Sequence, residues 1–113
     1  MAKVIITKSL EKEINKLFKK ESIKIIELMK SLEEYPKKGR PISQIGNIAI
    51  KELKYKSHRF YFITDRYRIK LLDVSELKDL LIKFVAMSDK RSQQKVIDKI
   101  KRVLRTLGEE GFN

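Results

Sequence analysis

The chain has no cysteine and a single histidine. Disulfide scaffolds and thiolate zinc sites are therefore excluded, as are metal motifs that need two histidines. Tryptophan is also absent. No apolar run approaches the ~18 residues of a membrane span; Phe84-Val85-Ala86-Met87 is typical of the longest. The opening Met-Ala-Lys-Val-Ile-Ile turns charged at once. It lacks the apolar stretch and cleavage site of a signal peptide, so a cytoplasmic protein without a membrane partner is expected. Acidic residues are scarce: 15 Asp and Glu face 27 Lys and Arg over 113 residues, a net charge of +12.

A single domain with its own core suits this length, and 42% hydrophobic residues are too many for simple disorder. The charge requires a polyanion, whether nucleic acid, an acidic protein or an anionic membrane. A composition rich in Lys and Ile and free of Cys fits either a thermophile or an AT-rich genome. The excess charge is concentrated. Residues 36–70 hold ten basic and two acidic groups, which is +8 of the +12. A localised electropositive face is expected.

The pattern along the chain predicts an α+β fold: a small, mainly antiparallel sheet of four to five strands, an N-terminal helical pair and a C-terminal helix. Lys3–Ile6 reads as the first strand. Ser9 reads as an N-cap, and Leu10, Ile14, Leu17 and Phe18 recur at helical spacing. Ile25, Leu28, Met29 and Leu32 continue the pair until Tyr35-Pro36 ends it. Residues 36–41 read as a basic loop carrying Lys37, Lys38 and Arg40. Strands are expected at 48–55, 58–64 and 67–72, with Asp65-Arg66 as a turn and residues 73–79 as a polar connector with room for a short helix; 80–87 reads as a strand or a buried helix, with strand preferred because Lys83 would interrupt a buried helical stripe. Val96, Ile100, Val103, Leu104 and Leu107 mark the last helix, which Gly108 stops.

Strand alternation then assigns faces. If the helices cover one side of the sheet, Phe60, Phe62, Ile69 and Leu71 are buried. Arg59, Tyr61, Arg68 and Lys70 are left on an open face, with Lys51 or Lys54 nearby. Cations that hold phosphates, interleaved with a ring that stacks on bases, suit single-stranded nucleic acid. His58 shares the face of Phe60 and Phe62 and reads as a core-rim residue. Glu52 reads as an ion-pair partner that orders Lys54 or Arg59. Phe112 is expected to dock on the body of the protein or on a partner.

Three segments resemble the RelE/ParE toxin superfamily, in particular its HigB-like, phage-derived branch. They are Leu32–Pro41, with its acidic turn, Gly and basic residues; Lys51-Glu-Leu-Lys54 followed by Arg59-Phe-Tyr-Phe62; and Leu81–Val85 followed by Ser88-Asp-Lys-Arg-Ser-Gln93. The resemblance implies a type II toxin that cleaves mRNA, usually on the ribosome, and is neutralised by an acidic antitoxin. No cofactor or metal is implied. RNA cleavage needs a base for the 2′-OH proton, cations for the phosphorane charge and an acid for the leaving oxygen. On this mapping Lys54 or Lys51 is the base, Arg59 and Arg91 clamp phosphate, and Tyr61 stacks on a base or donates a proton. Lys37, Lys38, Arg40, Arg68, Lys70, Lys83 and Lys90 are expected to hold the RNA. The C-terminus lacks the late catalytic Tyr of some members. The competing expectations are a ParE-like gyrase inhibitor and a basic nucleic-acid-binding module that does not cut.

Overall fold

A computed structural model describes residues 1–113. Strand β1 (Lys3–Ile6) leads into helix α1 (Lys8–Phe18). Thr7, not Ser9, caps α1: its hydroxyl accepts from the Leu10 N–H at 3.4 Å. A positive φ of 50° at Lys19 ends α1, and one 3-10 turn leads into α2 (Ser22–Lys30). Strands β2 (Arg40–Ile45), β3 (Ile48–Tyr55) and β4 (His58–Asp65) follow as two consecutive hairpins. Helix α3 (Arg66–Leu71), β5 (Leu81–Asp89) and α4 (Gln93–Leu107) complete the chain, with a final 3-10 turn at Gly108–Gly111.

The five strands form one sheet in the order β1-β5-β4-β3-β2. Only β1 and β5 run parallel; every other pair is antiparallel. The expected α+β class, the N-terminal helical pair and the C-terminal helix are all present. No helix is long and apolar enough to cross a membrane.

Helices cover both faces of the sheet, not one. Leu10 and Ile14 of α1 and Ile25 and Met29 of α2 pack with Leu53, Phe60, Phe62 and Phe84 on the first face. Ile97, Ile100 and Leu104 of α4 pack with Ile50, Tyr61, Ile63 and Val85 on the second. The central strands are therefore apolar on both sides, as doubly covered strands are. His58 sits at the rim of the first core, its ring edge-on to Phe18 with centroids 4.9 Å apart.

Two further expectations change. The expected strand at 67–72 is instead α3, which the Asp65 carboxylate caps by accepting from the Arg68 N–H at 3.0 Å. The last two residues of the expected basic loop at 36–41 belong to a strand, because β2 begins at Arg40. Its hairpin to β3 turns through Gly46 at φ +57°, a conformation that costs glycine nothing. Tyr35 is exposed, although Met29 is buried.

Candidate nucleic-acid interface

Alternation and register decide which charged groups meet. In β3, residues 48, 50, 52 and 54 face α4, whereas 51, 53 and 55 face α1 and α2. Lys54 lies directly opposite Arg59 across the β3–β4 ladder, and Arg59 lies opposite Ser88 of β5. These three form a row at one end of the second face. Helix α4 covers the other end, over Ile50, Ile63 and Ile48. Lys54 is exposed and Arg59 half-buried, and neither forms an ion pair. Lys56, two residues along at the hairpin tip, differs: its ammonium contacts Glu21 at 2.7 Å, which raises its pKa.

The corner after β5 brings Lys90 and Arg91 to the same end, since Asp89 pairs with His58 in the ladder. Asp89 fixes that corner. Its carboxylate accepts from the backbone N–H of Arg91 and Ser92, both at 2.9 Å, and from the Ser92 hydroxyl at 3.0 Å. The Ser92 hydrogen bonds hold its pKa below the ordinary aspartate value. Lys90 and Arg91 are exposed and unpaired. The first turn of α4 has no acidic residue and no side-chain cap. Its free N–H groups therefore add to the positive potential there.

Beside the row, one step along the same face, lies a buried polar pair. Glu52 and Tyr61 are register partners on this face. Glu52 is only 5% exposed. One of its oxygens approaches Arg40 at 3.8 Å, and the other is buried without a hydrogen-bond partner. Its ion-pair partner is thus Arg40, not Lys54 or Arg59. Tyr61 is fully buried, and its hydroxyl meets Ser88 Oγ at 2.8 Å. Burial pushes the Tyr61 pKa up, and the Glu52 charge adds to the shift.

Several expected site residues are placed elsewhere. The expectation that Tyr61 stacks on a base does not hold, because α4 and the sheet enclose its ring. Lys51 faces the opposite side of the sheet and is 4% exposed. It donates to the Lys37 carbonyl at 3.2 Å and lies 5.8 Å from the Phe62 ring centre. Burial, with Lys37 beside it, lowers its pKa. It is the one lysine with a resolved lowering, yet it is not in the row. Lys83 donates to the carbonyls of Glu109 and Phe112 at 3.1 and 3.3 Å, so it anchors the C-terminal turn rather than a ligand. That turn seats Phe112 against the second core. Arg68 and Lys70 belong to α3, beyond the far end of β4. Lys37 and Lys38 are exposed in the loop before β2.

A cavity of about 480 Å³ lies between α1, α4 and Val85–Met87 and is lined mainly by apolar groups. None of Lys54, Arg59, Lys90 or Arg91 lines it. Sequence reasoning missed Ser88 as the partner of Tyr61. It also overlooked the cations of α4, whose spacing beside the apolar stripe was a readable signal. Comparisons of the chain with protein-family models, curated proteins and solved structures find no match.

Proposed function

We propose that this protein is an endoribonuclease toxin of the RelE/ParE type, acting on mRNA in the cytoplasm as one half of a toxin–antitoxin pair. The observation that carries the reading is the Lys54–Arg59 pair: two cations face each other on an uncovered end of the sheet, with no carboxylate paired to either. Lys90, Arg91 and the open N-terminus of α4 gather at the same end. Such a site suits a phosphodiester, whose charge rises in the transition state.

On this reading Arg59 and Arg91 hold the scissile phosphate. Lys54, acting in its neutral amine form, takes the proton of the neighbouring 2′-OH and becomes the ammonium, and that oxygen attacks phosphorus. The bond to the 5′-oxygen breaks, and the leaving oxygen takes a proton from water. The products are a 2′,3′-cyclic phosphate and a 5′-OH end. This chemistry needs no metal ion. An acidic antitoxin covering the same cations would neutralise the protein, and the ribosome would present the mRNA.

Expression followed by mapping of mRNA 5′ ends tests this. Discrete new ends should appear with the native chain and vanish with Lys54→Ala. DNA-damage signalling without mRNA loss would instead support a gyrase inhibitor. Salt-sensitive RNA binding without cleavage would leave a binding module.

A further inference from the structure

We infer that the solvent face of α4 is a second RNA contact, a phosphate track that continues from the Lys54–Arg59 row along the helix. The inference rests on the nucleic-acid reading above and extends it to a surface outside the cleft.

Helix α4 carries Lys95, Lys99, Lys101, Arg102 and Arg105 against a single acid, Asp98. Residues 71–113 hold nine basic and seven acidic groups, a near balance that hides this helix. The acids lie mostly in the 73–79 connector and the C-terminal turn. Lys95, Lys99 and Arg102 stand at i, i+4 and i+7, so they share one stripe. Lys101 and Arg105 stand at i and i+4 on an adjacent stripe. At 1.5 Å per residue, the cations span roughly 15 Å of axis. All are exposed except Lys101, which is half-buried.

None of the five forms an ion pair. Asp98, the one acid on the helix, accepts from Gln94 Nε2 at 2.9 Å. Like charges at i, i+4 destabilise a helix, and cations near its N-terminus oppose the dipole. The helix therefore carries an electrostatic load that an intramolecular partner does not relieve. A polyanion would relieve it.

Position identifies that polyanion. Helix α4 starts beside the row, immediately after Lys90 and Arg91, and runs across the same sheet face toward β2. An RNA strand held at Lys54 and Arg59 has this ladder as its nearest continuation. The cations of α1 belong to a helix that packs on the opposite sheet face and meets α4 only across the cavity beside Val85–Met87.

The test is RNA affinity as a function of salt. The Lys54→Ala background prevents cleavage, and RNAs of about six and about sixteen nucleotides are compared. Two variants remove the same charge: Lys95→Gln/Lys99→Gln/Arg102→Gln on α4, and Lys12→Gln/Lys16→Gln/Lys20→Gln around α1. For the longer RNA, the α4 variant should lower the slope of log K against log salt by about 2, since each single-strand phosphate contact contributes about 0.7. The gain in affinity with RNA length should shrink with it. The α1 variant should change neither. Equal effects from both variants would reduce the finding to net charge and overturn the track. An unchanged slope in the α4 variant would overturn it while leaving the cleft reading intact. Absence of RNA binding by the parent protein would overturn both.

Discussion

The hydroxyl of Tyr61 meets the Oγ of Ser88, the register partner of Arg59, at 2.8 Å. This contact makes Tyr61 a supporting residue. Tyr61→Phe should leave RNA cleavage within a few-fold of native while destabilising the fold by about 1 kcal/mol, because the buried Ser88 loses its partner. Urea unfolding and 5′-end mapping measure the two effects.

The same phenol sets an alkaline limit. Its folded pKa is raised above the ordinary 10.0, chiefly by burial. The folded state therefore favours the protonated form, and the contribution is complete below about pH 10. It is lost as pH rises from there through the folded value. Lys51 has the opposite sign: its folded pKa is lowered, so its contribution is present above its ordinary 10.5 and lost as pH falls. Stability measured from pH 9 to 11 in the native chain and in Tyr61→Phe should separate the two. The variant should lose the alkaline decline that Tyr61 contributes. An identical decline in both proteins would assign it to other groups.

Lys54 and Arg59 make the sharpest functional prediction. Lys54→Ala and Arg59→Ala should each lower cleavage by about a hundredfold or more. Their unfolding midpoints should stay near native, since neither side chain is buried or paired. Full toxicity in both variants would remove this row from the chemistry. Lys83→Met should do the reverse. It should release the Glu109–Phe112 turn to proteolysis while leaving RNA affinity unchanged.

Gly39 tests the packing of the loop before β2. Its φ is +107°, and a Cβ there would stand 2.8 Å from Phe62 Cζ. Gly39→Ala should cost about 2 kcal/mol through backbone strain and displacement of a core ring. The midpoint of urea unfolding reads this directly.

Much of the architecture was legible in the sequence, and the exceptions have identifiable causes. Helix α4 carries a strong period, and β3 and β4 are short runs rich in β-branched and aromatic residues, so they read correctly. Strand β2 did not, because an edge strand starting Arg40-Pro41 needs to bury little and shows weak alternation. Residues 67–71 alternate apolar and polar over five positions, too few to separate a strand from a short helix. Asp65 as a cap held the missing information. The cationic row was legible through Lys54 and Arg59. Its true depth was not, because the apolar stripe of α4 had to land somewhere. Only the three-dimensional packing places it over Tyr61 and not beside Phe60.

The parallel pairing of Lys3–Ile6 with Leu81–Phe84 joins opposite ends of the chain. During synthesis β1 emerges first and waits, unpaired, until β5 follows, and α4 can seal the second core only later still. Contacts this distant in sequence make the closing steps of folding slow. The nascent chain thus exposes the cationic end of β3 and β4 before the polar pair beside it is packed. On the proposed function, competence to cut RNA arises only once α4 has emerged and packed, and a chain truncated before Gln93 should be inactive.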